Sequence, residues 1–259
     1  MIRSFYSAVS GMITQEAKQD VITNNLANAN TVGFKQDDLA VGDFGDMLLQ
    51  NYDKIVNGKN ARNVIGSISL GSRVNGVNTE FSQGSIKQTD IATDFAIEGR
   101  GFFTVSRQEG NANNTYYTRD GHFHININGT LVDDSGDTVL ARDIQTGALG
   151  AINVGNGKLQ CDSQGNISID GIPRYKLYTV DFNDYNNLTK TGDNLYRGTT
   201  GAREINANVK QNFLESSNVN VVNTMANMIT TMRTFETNQK AVQSIDESLD
   251  KLINQVGRV

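Results

Sequence analysis

From residue 221 onward an apolar side chain stands at every seventh position: Val221, Met228, Phe235, Val242, Leu249 and Val256. A seven-residue column is a 3.5-residue period, the spacing that lets one helix wind around another. Met225 and Met232 flank the column early, and Ile245 and Leu252 flank it late. No Gly or Pro interrupts residues 218–256, so a straight helix there would reach about 50–60 Å at 1.5 Å per residue. Ser217 or Asn218 is placed to cap its start. Left in water, six such side chains would forgo on the order of 9–18 kcal/mol of burial, so this helix requires a partner.

The other end carries a second stripe. Ile2, Phe5, Tyr6, Val9, Ile13, Ala17 and Val21 recur at helical steps, which predicts an amphipathic helix from Ile2 to about Asn30. It closes in Asn28-Ala29-Asn30-Thr31-Val32-Gly33, where Asn and Gly tolerate the left-handed conformation that ends helices. A lone helix of this length is marginal in water. The two helices can pair within one chain, pack on the core of the middle region, or meet the stripes of neighbouring chains; periodicity alone leaves all three open.

Between the helices the period changes to two, with short runs such as Gly101-Phe102-Phe103-Thr104-Val105 bounded by turn residues. Three turns share one chemistry, Asn126-Ile127-Asn128-Gly129, Asp133-Asp134-Ser135-Gly136 and Asp162-Ser163-Gln164-Gly165: an Asx side chain satisfies local donors beside a Gly. The stretch 42–76, with Asn57-Gly58-Lys59-Asn60, reads as an extended or loosely ordered connection. With 25 Gly, one Pro and no Trp, the chain is expected to be α+β. A β-rich central domain (95–213) is flanked by long N- and C-terminal helical ends (1–34 and 214–259), joined through an extended segment (35–94).

Other function classes are weakly supported. A net charge of −5 and a pI near 5.1 oppose nucleic-acid binding, which needs cations to displace counterions. No apolar run is long enough to span a bilayer, and the opening residues lack the pattern of a secretory signal. Cys161, the single cysteine, reads as a small apolar filler in a strand. His122 and His124 flank Phe123 and share a strand face, as two metal ligands would, but no third ligand stands near them in sequence. Asp133, Asp134 and Asp137 lack the closing Glu of a calcium loop, so they read as a polar hairpin. Gly99-Arg100-Gly101 precedes a strand, where a dinucleotide fingerprint would follow one, so Gly99 and Gly101 read as a backbone turn. No nucleophile-elbow motif is present. No catalytic residue, cofactor or metal is expected.

Three separated stretches resemble one family, in its order. Ser7-Ala8-Val9-Ser10-Gly11-Met12 and then Val21 through Asn24-Asn25-Leu26-Ala27-Asn28 to Gly33-Phe34-Lys35 are similar to the N-terminal signature of the flagellar rod and hook family. Gln83-Gly84-Ser85 through Gly99-Arg100-Gly101-Phe102-Phe103, then Tyr117-Thr118-Arg119-Asp120-Gly121 and Asn126-Ile127-Asn128-Gly129, resemble the entry to its β-domain. Leu214-Glu215-Ser216-Ser217-Asn218-Val219-Asn220-Val221, followed by Met228 and Phe235, resembles its C-terminal signature. The length and the segment 43–74 resemble the distal-rod branch, although Arg73 stands where the family commonly has Gly; a hook or proximal-rod paralogue is the alternative, with a secreted β-rich binding module further off. The resemblance implies a structural subunit of the basal body, exported by the flagellar type III apparatus without a cleaved signal. It further implies a tubular homopolymer whose N- and C-terminal α-helices (1–34 with 214–259) form a coiled-coil-like domain lining the inside and whose β-domain forms the outer wall, with neighbouring rod and hook proteins as partners. Under that reading Phe5, Val9, Ile13, Val21 and the C-terminal column are polymerisation contacts. Asn24, Asn25 and Asn28 either cap the helix end or fix register between subunits, and Gly33-Phe34 is a turn with an aromatic anchor.

Overall fold

The computed structural model describes residues 2–56, 59–110, 112–198 and 201–256, apart from the side chains of 2, 3, 52–56, 59–61, 255 and 256. The chain forms two compact units. The first comprises 1–27, 37–79 and 220–259; the second comprises 28–36 and 80–219.

In the first unit, helix α1 (Ile2–Ala27) packs on helix α2 (Val221–Lys251). Two antiparallel pairs complete it: β1 (Asp37–Asp43) with β4 (Ser72–Thr79), and β2 (Asp46–Val56) with β3 (Lys59–Ser69) between them. Helix α1 lies against β1 and β4. The approach is close: Thr14 Oγ1 and Ser72 Oγ are 2.8 Å apart, and a Cβ on Gly71, whose φ is +139°, would stand 2.0 Å from Ser10 Oγ. Only glycine fits there.

Several expectations need correction. The segment 42–76, read as an extended or loosely ordered connection, consists largely of paired strands whose backbone groups bond in antiparallel ladders; within Asn57-Gly58-Lys59-Asn60, residues 57 and 58 lie outside the described residues. The divisions 1–34 with 214–259, 35–94 and 95–213 therefore give way to the two units above, because 37–79 folds with the helices and 28–36 folds with the large β-region. Helix α1 ends at Ala27, and 28–30 form turns. Helix α2 is regular to Lys251 and widens into a π-helical turn over Leu252–Val256. Asn220, not Ser217 or Asn218, caps α2, accepting from Asn223 N at 3.1 Å, since the two earlier side chains hold other backbone groups.

The second unit is built on a large antiparallel sheet. Its main path runs Leu159–Cys161, Asn166–Ile169, Ile172–Leu177, Thr138–Asp143, Phe102–Glu109, Ala112–Thr118, Leu195–Gly198, Leu188–Gly192. Strand alternation sends successive aromatics to opposite sides. Phe103 joins Phe95, Phe123, Val105 and Leu131 in the larger core, whereas Phe102 joins Val180, Phe182 and Tyr196 in a second one. Phe81 closes the second core, its ring 5.6 Å from Phe102 and 5.3 Å from Tyr196. The three Asx turns form as their chemistry predicts. Asn126 Oδ1 accepts from Asn128 N and Thr130 N, Asp133 Oδ1 from Ser135 N and Asp137 N, and Asp162 Oδ1 from Gln164 N and Asn166 N.

Candidate functional site

The first unit exposes much apolar surface. On α2 the covered or half-covered positions are Thr224, Met228, Thr231, Phe235, Asn238, Val242, Ile245 and Leu249, spaced alternately by four and three residues. The column is thus half of the seam, and the other half lies three residues after each member. Met225 and Met232 stand four residues after Val221 and Met228, so they fall outside it, exposed by 49% and 45%; the early flank is Thr224 and Thr231. Val221 is 38% exposed, and the side chain of Val256 lies outside those described. Along α1 the seam comes close enough that a Cβ on Gly11 would stand 3.0 Å from Asn238 Nδ2. Phe5, Val9 and Val21 are half-buried, Ile22 is buried, and Ile13 is 58% exposed.

What the seam omits is informative. Val222, Met225, Ile229 and Met232 recur at helical steps on an exposed face of α2, at the end where the seam itself holds threonine. Around the start of α1, Tyr6, Val9, Ile13, Phe44 and Leu70 line an open apolar hollow of about 330 Å³. The β2–β3 pair exposes Met47, Leu48, Val64, Ile65 and Ile68. A two-stranded ribbon of this kind is at best marginal alone.

The signature residues of the second unit meet at one buried ion cluster. Lys35, fully buried, donates from Nζ to Glu215 Oε1 and to Ser82 O, the latter at 2.7 Å. Arg119 donates to Glu215 Oε2 at 3.1 Å and to Gly99 O at 2.8 Å, with its guanidinium 5.3 Å from the Phe102 ring. Gly84 N adds a third donor to the Glu215 carboxylate at 2.9 Å. Burial drives the Lys35 pKa down, and the Glu215 carboxylate beside it works against that. One carboxylate thus serves two buried cations. Removing it would strand both charges, whereas removing Lys35 would leave a matched pair.

Gly33 is set into this cluster. Its φ is +66°, and a Cβ would stand 2.4 Å from Asp120 N, while Gly33 N donates to Glu215 O at 2.8 Å. Phe34 is buried with the Lys190 ammonium 4.0 Å from its ring centre. Asn218 Oδ1 accepts from Gln36 N at 2.7 Å, and Asn218 Nδ2 donates to Glu80 O at 2.9 Å. Val219 is buried beside it. In the first unit, Asn25 makes a comparable two-sided bond to the backbone N–H and C=O of Asp37, at 2.9 and 2.7 Å. The buried Asn25 amide thus has its partners within the chain. Asn24 and Ala27 are exposed, Leu26 and Asn28 half-buried, and Asn28 Oδ1 accepts from Thr31 Oγ1.

Lys35, Arg119 and Glu215 lie inside the three signature stretches, and nothing in their sequence neighbourhoods marks them as partners. Among the other candidates, the Asp137 carboxylate holds Arg107 Nε at 2.8–3.0 Å, and Asp133 bonds its own turn, so these form a hairpin. The Cys161 thiol is pushed up to about 12 by burial, which keeps it protonated and unreactive. Gly99 and Gly101 form the turn before Phe102–Glu109.

Comparison with known proteins gives matches at both ends and in the middle. Residues 5–35 match the family profile described as "Flagella basal body rod protein", 96–171 the "Flagellar hook protein FlgE/F/G D1 domain", and 210–255 the "Flagellar basal body rod FlgEFG protein C-terminal". The chain is 34% identical to the flagellar basal-body rod protein FlgG of Bacillus subtilis, over 98% of this chain and 99% of that protein. It is 31% identical to the rod protein FlgF of Caulobacter vibrioides over the full length of both. A 42% identity to the hook protein FlgE of Helicobacter mustelae covers 54% of this chain and 30% of that protein.

Proposed function

Because the chain belongs to the flagellar basal-body rod and hook family, most like its FlgG distal-rod members, we infer that it is a structural subunit of the bacterial flagellar rod. The observation that carries this reading is similarity to rod proteins along essentially the whole chain. The family is structural, and this protein acts by assembling. Its first unit supplies the means: the terminal helices pair as a coiled coil through the alternating seam on α2, and the apolar faces that this pairing leaves exposed are covered by further copies. The partners are copies of itself and neighbouring rod and hook proteins. The chain reaches the basal body through the flagellar type III apparatus without signal cleavage. Torque passes along a polymer of this kind when each subunit is internally stiff, a property that the buried ion cluster and twin aromatic cores favour in the second unit.

Removing residues 2–30 or 221–256 tests the reading. Such chains are expected to keep a folded β-region by circular dichroism and to build no rod in a strain lacking the natural protein. Normal basal bodies made from either truncated chain would refute it.

A further inference from the structure

The two histidines of the chain, His122 and His124, gain in the structure the third group that their sequence neighbourhood lacks. The short strand His124–Ile125 pairs with Leu131–Val132, Val132 standing opposite His124, and the following turn brings Asp134 across. His122 Nε2 lies 3.9 Å from Asp134 Oδ1, and His124 Nδ1 lies 3.8 Å from the same oxygen. These gaps exceed a hydrogen bond. They are close to the separation of about 3.3 Å expected between two ligands of a tetrahedral zinc ion with bonds of about 2.0–2.1 Å. Among the described residues no group of three or more His, Cys, Asp or Glu side chains is placed to hold a metal ion, so an ion would have to draw these three together. His124 and Asp134, 50% and 65% exposed, have room to move toward His122, which is 38% exposed.

The first histidine is also held as a ligand is held. Its Nδ1 is 2.8 Å from Oδ1 of Asp94, a fully buried carboxylate whose Oδ2 accepts from Thr89 Oγ1 at 2.6 Å. His122 N donates to Asp120 Oδ1 at 2.9 Å, which fixes the backbone at the same point. A carboxylate on Nδ1 favours the tautomer with its proton there and leaves the Nε2 lone pair directed outward, the outer-shell arrangement typical of histidine ligands.

We propose that His122, His124 and Asp134 close on one divalent cation of the borderline class that imidazole favours, Zn²⁺ foremost, with Asp94 positioning His122. The ion would fasten the turn after Leu131–Val132 to the strand beside it. Titration of the full chain with Zn²⁺ by calorimetry, followed in parallel through the imidazole resonances of the two histidines, tests this. The expected result is one saturable site per chain that shifts both imidazoles. His124→Gln and Asp134→Asn, both at exposed positions, should each weaken binding at least about tenfold. Absence of saturable uptake, imidazole signals that do not respond, or unchanged affinity in both variants would each overturn the site.

Discussion

The two units of this molecule differ in what they bury and in what they leave exposed. The second has an apolar interior rich in aromatics and, beside it, a buried lysine and arginine that both pair with one glutamate. The first places threonines in its helix seam and leaves methionine, isoleucine and valine in water on another face of the same helix. Burying charge is costly unless it is fully paired, and exposing apolar surface forfeits about 25 cal/mol per Å². The comparison teaches that the second unit pairs its buried charges within the chain, whereas the first leaves a continuous apolar row on one helix uncovered by its own chain.

Substitutions can break that contrast from either side. The largest effect is expected at the cluster. Glu215→Gln strands two buried cations and should cost about 3–5 kcal/mol in urea unfolding of the full chain, whereas Lys35→Met, which leaves Arg119 and Glu215 matched, should cost distinctly less. Equal losses would show that the carboxylate does not serve both cations. Gly33→Ala should cost about 2 kcal/mol, since it combines a left-handed backbone with a Cβ driven against the Asp120 amide. Thr231→Val in the helix seam should have the opposite sign, raising stability by up to about 1 kcal/mol and sharpening the view that polar seam positions were not chosen for strength.

The smallest effect concerns pH. Burial raises the Asp120 carboxyl from 3.8 to about 6, so the folded state favours its neutral form. Its contribution is therefore fully present below the unfolded value of 3.8 and is lost as pH rises through about 6. Asp120→Asn should match the parent protein near pH 4 and exceed it by about 1 kcal/mol near pH 7.5, read as a difference in thermal midpoint. A pH-independent offset would contradict that assignment.

Local chemistry was the legible part of this fold. Asn126, Asp133 and Asp162 identify their turns because an Asx side chain acts within four residues of itself. The column from Val221 to Leu249 identifies α2 because helical period is a local property. Less legible was anything decided by residues far apart. Lys35 and Glu215 are 180 positions apart, and nothing in either neighbourhood announces the other. The pairing of 37–79 with itself was missed because its Gly and Asn content resembles a linker, while its partner strands are separated by another strand pair. The flank of the column was misassigned at Met225 and Met232 for a different reason: hydrophobicity nominated them, but a 3.5-residue seam places its second row three residues on, at Thr224 and Thr231. Asp134 completes the histidine pair only once a strand pairing folds it back.

The central claim is that the face of α2 bearing Val222, Met225, Ile229 and Met232 finds cover only against another chain. The most direct measurement is electron microscopy of basal bodies from a strain whose sole copy carries Met225→Ser with Ile229→Ser, alongside the thermal midpoint of the purified variant. The account predicts an unchanged midpoint and a rod that stops short. A full-length rod from that variant, or a monomer that unfolds markedly earlier than the parent, would contradict it.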